Sequence, residues 1–266
     1  MPLLQTKFHI PTLRPTLVSR PRLFAKLQTS LRGKLTLVAA PAGSGKTTLI
    51  CDWLRQTPLP AVWLSLDSGD NELKRFLHYV IGALQSIQPT LGQETLTLLQ
   101  LPQPAAVDEL LTPLVNDLAT MAQKLILVLD DYHVIETPAI HQLLTFLLER
   151  LPAQLHLVIT SRSNPPVPLA RLRGRGELTE VRAVDLRFTT AETDAFFQHF
   201  APVALTAADL ALLTERTEGL LTAHQQGDVR VVIGRAADFF GPRIRVSALG
   251  ERVFPAALAG KTIQVL

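Results

Sequence analysis

Short apolar runs alternate with amphipathic stretches along most of the chain. The runs are rich in Val, Leu and Ile, and continuous apolar strands of this kind are typical of a parallel sheet that helices cover on both faces. The pattern predicts an α/β fold, a three-layer sandwich around a five-stranded parallel sheet. The predicted strands are Leu35–Ala39, Ala61–Leu66, Leu125–Leu129, Leu155–Thr160 and Leu178–Val184, and the predicted helices cover residues 46–56, 71–87, 106–121, 138–150, 190–199 and 206–216.

The character of the sequence changes near residues 220–227, where the polar turn HQQGD precedes a new predicted strand, VRVVIGR. A Pro-containing stretch at 88–109 is expected to bridge two helices on the surface. We therefore predict four segments along the chain. They are a lead-in at 1–33, an α/β core at 34–189, a small helical extension at 190–225 and a fragmentary tail at 226–266.

Composition narrows the class of protein. With 47% hydrophobic residues in 266, the chain can bury a sizeable core, and a net charge of +3 without a Lys/Arg block does not indicate nucleic-acid binding. The single cysteine, Cys51, excludes an internal disulfide framework and a multi-cysteine zinc site, and we expect it to fill a buried position. No apolar run approaches the roughly 20 residues of a membrane span. We expect a soluble, cytoplasmic protein.

A small-residue segment between the first predicted strand and helix matches the Walker A pattern of P-loop proteins. It reads Ala40-Pro41-Ala42-Gly43-Ser44-Gly45-Lys46-Thr47. The backbone amides of residues 42–45 are expected to cradle the β-phosphate of a nucleotide. Lys46 would reach the β and γ oxygens, the Thr47 hydroxyl would ligate Mg²⁺, and Thr48 would bond the α-phosphate. Ala40 replaces the first glycine of the strict pattern, and a glycine-rich turn with an incidental lysine is the alternative.

Two acids follow the apolar run that begins at Leu125, as in a Walker B motif. A strand buried on both faces would deliver Asp130 to the sheet edge beside the P-loop, where it can hold Mg²⁺ through water, and Asp131 could polarise an attacking water. The alternative is two acids that mark the surface end of a strand. Arg162, after the fourth strand, could stabilise the γ-phosphate or be a surface arginine. No Asn-Lys-x-Asp tetrapeptide for guanine is present, so ATP is preferred.

Six segments in order resemble the ATPase domain of the maltose-regulator-like, large ATP-binding LuxR-type transcriptional activators, which are signal-transducing (STAND) P-loop ATPases. The likeness covers about residues 4–220. The segments are HIPTLRPTLVSRPRLFAKL, LTLVAAPAGSGKTTLICDWL, VWLSLD, LILVLDDYHVI, LHLVITSRSNPPVPLARLRGRGELTEVRAVDLRFTTAET and LLTERTEGL.

The resemblance implies a switch in which ATP binding permits self-association and hydrolysis resets the protein, while a distant helix-turn-helix domain binds promoters. It also implies roles for single residues. Lys46 and Thr47 would hold phosphates and metal, Asp130 and Asp131 would form the Walker B pair, and Arg162 would be the sensor arginine. Arg20 would lie near the nucleotide base, with a solvated surface arginine as the alternative.

The tail departs from that family. Its segment VVIGRAADFFGP resembles the substrate side of an extended short-chain dehydrogenase, an NAD-dependent nucleotide-sugar epimerase or dehydratase. The chain has no Gly-rich dinucleotide turn and no Tyr-x-x-x-Lys pair, which such chemistry needs. We therefore expect a non-functional tail, in which Arg235 and Arg243 are structural or surface residues. We also expect a regulator truncated before its DNA-binding module, without direct DNA binding.

The leading hypothesis is an ATP- and Mg²⁺-binding regulatory switch, with slow hydrolysis as an uncertain enzymatic activity. Three alternatives stay open. A P-loop kinase or metabolic ATPase would need an acceptor pocket, for which the sequence offers no lid-like arginine cluster. An epimerase-like fusion product lacks its motifs. The last alternative is an inert remnant that binds ATP weakly or misfolds.

Overall fold

The computed structural model describes residues 2–13, 17–102, 105–200 and 207, together with the strand segments 221–226, 228–233, 244–245 and 264–265. The chain divides into two compact units. One comprises Met1–Leu13, Phe24–Ala40 and Lys46–Val181, and the other comprises Arg14–Leu23, Pro41–Gly45 and Arg182–Leu266.

Helices and strands alternate through the described residues, with 3₁₀ turns at Gln5–Phe8, Ser68–Asn71 and Tyr132–Val134. The helices are α1 (Pro21–Ser30), α2 (Lys46–Gln56), α3 (Leu73–Gln85), α4 (Gln93–Leu98), α5 (Val107–Ala119), α6 (Pro138–Arg150), α7 (Leu169–Gly174), α8 (Ala183–Leu186) and α9 (Thr190–Phe200). The strands are β1 (Leu35–Ala39), β2 (Ala61–Ser65), β3 (Leu125–Asp130), β4 (Leu155–Ser161), β5 (Leu178–Arg182), β6 (Leu221–Gln226), β7 (Asp228–Ile233), β8 (Ile244–Arg245) and β9 (Gln264–Val265).

The first five strands form one parallel sheet in the order β2-β3-β4-β1-β5. Strand β4 pairs with β1 on one side, where Ala39 lies opposite Ser161, and with β3 on the other, where Leu129 lies opposite Ile159. The predicted α/β fold with a five-stranded parallel sheet is confirmed. Because the strands run in the same direction, the carboxyl ends of β1, β3 and β4 lie at one sheet edge.

Both faces of this sheet are buried, as the unbroken apolar runs predicted. Alternate strand residues such as Leu37 and Leu127 join one large apolar cluster with residues of α3, α5 and α6. The residues between them, such as Val38 and Val128, are also fully buried. A strand whose two faces are both covered has no solvent side, so apolar residues occupy consecutive positions instead of every second one.

The predicted elements differ from the structure in several places. The predicted linker at 88–109 contains α4, whose Thr95 is fully buried and donates a hydrogen bond to the Leu110 carbonyl, so the expectation of a surface bridge was wrong there. The third helix begins later than predicted, because Glu72 caps it by accepting hydrogen bonds from the Lys74 and Arg75 amides. Strand β5 ends at Arg182, two residues earlier than predicted, and α8 begins at Ala183.

In the C-terminal part, β6 and β7 pair antiparallel, with His224 opposite Arg230. The predicted polar turn HQQGD was therefore too long, since its first three residues belong to β6 and Asp228 begins β7. Backbone pairing between the two strands overrides the polarity of these residues. The predicted strand VRVVIGR is confirmed in its first part by β7. The predicted helix at 206–216, apart from residue 207, lies outside the described residues, as do Arg235 and Arg243.

Candidate nucleotide-binding site

The glycine-rich loop joins β1 to α2 in a conformation that depends on its glycines. Gly43 and Gly45 have φ angles of 75° and 81°, a region that residues with a Cβ rarely adopt. The hydroxyl of Ser44 donates a 2.6 Å hydrogen bond to the Pro41 carbonyl, which closes the turn. A Cβ added at Gly45 would meet nothing within 4 Å, so backbone conformation and not space requires glycine there.

Lys46 is the first residue of α2, and little of it is exposed. Burial lowers the pKa of its ammonium group, while the negative charges of Asp131 and Asp130 act in the opposite direction. The positive charge of Arg162 also lowers this pKa, which places a second cation within electrostatic reach of Lys46. A buried lysine with two acids and another cation within electrostatic reach is suited to binding a polyanion.

Thr47 and Asp130 face each other at the sheet edge. The Thr47 hydroxyl lies 3.3 Å from one Asp130 carboxylate oxygen and 3.4 Å from the other. The hydroxyl of Thr160, near the end of β4, donates a short hydrogen bond to the same carboxylate. Burial raises the pKa of Asp130, and the hydrogen bonds from Thr160 and Thr47 oppose this rise. The structure thus brings the Walker A threonine, Thr47, and the first Walker B acid, Asp130, together.

Asp131 is the one described non-glycine residue with a positive φ, at 59°. Its amide donates a 3.0 Å hydrogen bond to Thr160 Oγ1, so the same hydroxyl contacts both acids. The Asp131 side chain remains about half exposed. A left-handed non-glycine residue costs free energy and persists only where surrounding contacts hold it, and such residues concentrate at functional sites.

His133 belongs to the site, although sequence reasoning did not select it. Its Nδ1 lies 3.7 Å from Asp131 Oδ1, and this buried nitrogen is without a hydrogen-bond partner among the described residues. Burial lowers the pKa of the imidazole, Asp131 raises it, and Arg162 and Lys46 lower it. The one signal in the sequence was its position two residues after the second acid.

The other predicted site residues have different surroundings. Arg162 is exposed directly after β4, and Thr48 is exposed on α2. The roles of Arg162 at the γ-phosphate and of Thr48 at the α-phosphate stay predictions. The same holds for phosphate binding by the backbone amides of residues 42–45. Cys51 is fully buried on α2, and burial raises the pKa of its thiol to about 12, as expected of a residue that fills space.

Arg20 lies in the second unit and contacts that unit's own residues. Its guanidinium donates hydrogen bonds to the carbonyls of Leu186 and Arg187 at 2.7 and 2.9 Å, lies 3.5 Å from a carboxylate oxygen of Glu192, and stacks over the ring of Phe188. The alternative of a solvated surface arginine was wrong, because Arg20 is buried. Its predicted position near the base stays a prediction.

No group of three or more His, Cys, Asp or Glu side chains that could hold a metal occurs in the described part of the chain. Mg²⁺ does not require such a group, because it commonly binds through one or two protein oxygens, water and the phosphates of a nucleotide. The Thr47 hydroxyl and the Asp130 carboxylate are oxygen donors of the kind Mg²⁺ prefers. Within the same residues, no helix is long and apolar enough to cross a membrane.

No protein-family model matches the chain, but the chain is similar in sequence to known transcriptional regulators. The chain is 37% identical over 223 residues, 84% of its length, to the HTH-type transcriptional regulator MalT of Serratia proteamaculans, and 36% identical over 223 residues to that of Klebsiella pneumoniae. It spans about a quarter of the length of these relatives. The tail's resemblance to a dehydrogenase has no support from these comparisons.

Among solved structures, the chain is similar to a Signal Transduction ATPase with Numerous Domains (STAND) protein with a tetratricopeptide repeat sensor from Pyrococcus horikoshii. The TM-score is 0.59 at 19% identity, over 82% of this chain and 30% of that one. At this identity the likeness concerns the fold. The fold is the P-loop NTPase fold, and most of the chain is similar in sequence to MalT-type transcriptional regulators.

Proposed function

We propose that this chain binds ATP with Mg²⁺ at the loop 40–47 and hydrolyses it slowly, as the nucleotide switch of a MalT-type transcriptional regulator. The observation that carries the proposal is the pairing of Thr47 with Asp130 next to the buried Lys46. A hydroxyl and a carboxylate at this spacing can share one Mg²⁺, directly or through water, while the lysine neutralises phosphate oxygens. An incidental glycine-rich turn would not require this arrangement.

Each residue at the sheet edge has a defined task under this proposal. Lys46 and the loop amides bind the phosphates, and Thr47 and Asp130 hold the metal, which supplies charge neutralisation for the departing phosphate. Asp131 orients and polarises the attacking water, with His133 beside it. Arg162, whose side chain is exposed, stabilises charge that develops on the γ-phosphate.

Labelled-ATP titration of the 266-residue chain tests the binding step. Lys46→Ala is expected to weaken ATP binding at least tenfold, because it removes a charge that the structure holds at the sheet edge. Lys74→Ala is the matched control, since Lys74 is an exposed lysine of α3 that takes no part in the contacts described for the site. Equal affinities of wild type and Lys46→Ala for ATP would refute the proposal.

The metal has its own test. Removal of Mg²⁺ by chelation is expected to weaken ATP binding by the wild type, and Asp130→Asn is expected to make binding largely insensitive to the metal. NAD is the control ligand, and we expect it not to bind. Binding of NAD that Lys46→Ala does not change would instead favour the hypothesis of a dehydrogenase-like tail.

The switch itself is expected to act through self-association, as the resemblance implies. Light scattering of the chain with ATP, with ADP and without nucleotide would follow it. A larger assembly with ATP than with ADP, abolished by Lys46→Ala, supports a switch. Turnover of ATP without any change in assembly would favour a metabolic ATPase instead.

A further inference from the structure

Asn71 connects the turn after β2 with the post-strand loop, which we define as residues 131–137 between β3 and α6. Its side-chain oxygen accepts hydrogen bonds from the amides of Glu136 at 2.7 Å and Thr137 at 3.2 Å. Its side-chain nitrogen donates to the Val134 carbonyl at 2.7 Å and to the Ser68 carbonyl at 3.1 Å. Thr137 Oγ1 donates in return to the Asn71 backbone carbonyl at 2.6 Å.

The post-strand loop carries Asp131, which is proposed to polarise the attacking water, and His133, which lies beside it. Its start is fixed by the hydrogen bond from the Asp131 amide to Thr160. Its end is fixed by Asn71, which contacts the backbone on both sides of Ile135. Between these points the backbone turns through the 3₁₀ segment, with the Ile135 amide bonded to the Tyr132 carbonyl at 3.0 Å.

We propose that Asn71 is a positioning residue for ATP hydrolysis, which holds the post-strand loop so that Asp131 stays in its left-handed conformation. The inference rests on the proposed function and deepens it. A positive φ at an aspartate is retained only while the surrounding contacts outweigh its cost. Asparagine suits the position because one amide group supplies both an acceptor for two backbone N–H groups and a donor for a carbonyl.

The turn that presents Asn71 is itself held firmly. Asp70, fully buried beside it, accepts a hydrogen bond from Lys7 and lies 3.3 Å from the Arg75 guanidinium. The Asp67 amide bonds to the Asp70 carboxylate at 2.9 Å, which completes a capping box. These contacts hold the turn in place. Hydrogen bonds from Asn71 can therefore position the post-strand loop.

Loss of Asn71 is expected to lower turnover and leave nucleotide binding intact. In Asn71→Ala, the loop loses the bonds at Val134, Glu136 and Thr137, so we expect kcat for ATP to fall about tenfold or more. The ATP affinity by titration is expected to stay within about twofold, because Lys46 and the glycine-rich loop are unchanged. Thr137→Val, which removes only one donor, is expected to lower kcat about threefold.

Two controls separate positioning from general damage. Asn116→Ala changes an exposed asparagine on α5 and is expected to leave kcat unchanged. Leu118→Ala lowers the free energy of unfolding by opening a cavity in the core, and is expected to keep its kcat at temperatures where it is folded. These variants show how stability alone affects turnover.

The outcomes are distinct. A tenfold fall in kcat with an unchanged ATP affinity, in Asn71→Ala but not in the controls, supports positioning. If the wild type turns over ATP, Lys46→Ala does not, and Asn71→Ala matches Asn116→Ala, the positioning role is overturned and the proposed function stands. A parallel loss of affinity and kcat also overturns it. Absence of turnover in the wild type would overturn both proposals.

Discussion

His156 makes the stability of this protein depend on pH. It lies within β4 and is fully buried. Its Nδ1 lies 3.0 Å from the Gly33 carbonyl, to which it can only donate, and its Nε2 lies 2.8 Å from Thr36 Oγ1. Burial lowers the pKa of the imidazole from 6.5 to about 4, the Gly33 hydrogen bond opposes this change, and Lys124 adds to it.

The direction and the size of the change in folding stability with pH follow from the lowered pKa of His156. Between about pH 6.5 and pH 4 the unfolded chain binds a proton that the folded protein does not, so stability is fully present above this window and is lost as the pH falls through it. The shift corresponds to a loss of about 3 kcal/mol when the window is crossed completely. From pH 7 to pH 5 the expected loss is about 2 kcal/mol.

Urea unfolding, followed by Trp fluorescence at several pH values, measures this dependence. Carboxylates also titrate below pH 5, so the informative quantity is the difference between the wild type and His156→Gln, which cannot gain a proton. The variant is expected to be less stable at pH 7 and to lose about 2 kcal/mol less than the wild type on going to pH 5. Parallel pH dependences of the two proteins would refute the reasoning.

Three further predictions concern the site and its supports. Gly45→Ala is expected to weaken ATP binding severalfold in a titration, because φ at Gly45 is 81°, whereas Gly174→Ala, at a glycine with open space and no positive φ, is expected to leave it unchanged. Asp131→Asn is expected to retain ATP affinity and lose at least tenfold in the rate of phosphate release; full activity would exclude a role for the carboxylate. Asp70→Ala is expected to lower the free energy of unfolding by about 2 kcal/mol, because Lys7 loses its buried partner and keeps only the half-exposed Asp67, while the Asp67 amide loses its acceptor; a change below about 1 kcal/mol in urea unfolding would contradict this.

The sequence predicted those features that depend on neighbours along the chain. The continuous apolar run from Leu125 identifies β3 because a strand covered on both faces leaves no other pattern, and the two acids mark its end. The spacing of small residues before Lys46 identifies the loop because each residue type has a local reason. Strand existence and the facing pair Thr47 and Asp130 followed from these two signals.

The features that sequence reasoning missed depend on contacts across long separations. Arg20 reaches carbonyls 166 and 167 residues away, and Asn71 reaches Val134 across 63 residues. Every residue has a backbone carbonyl, so the residue types in a sequence do not indicate which carbonyl will accept a hydrogen bond from a distant side chain. The predicted helices did not include α1, which lies within the predicted lead-in. A segment of ten residues does not show by itself which part of the protein it will pack against.

The order of the strands explains why one threonine can serve both acids. Along the chain β4 comes after β3, but in the sheet it lies between β3 and β1. The end of β4 therefore lies directly beside Asp130, and Thr160 reaches the carboxylate with its proton and the Asp131 amide with its lone pair. A hydroxyl is both donor and acceptor, whereas a carboxylate in its place would repel the acids and an apolar side chain would leave the Asp131 amide unpaired. The left-handed turn at Asp131 and the orientation of Asp130 toward Thr47 thus share one support, so the inserted strand couples the proposed metal site to the proposed hydrolysis step.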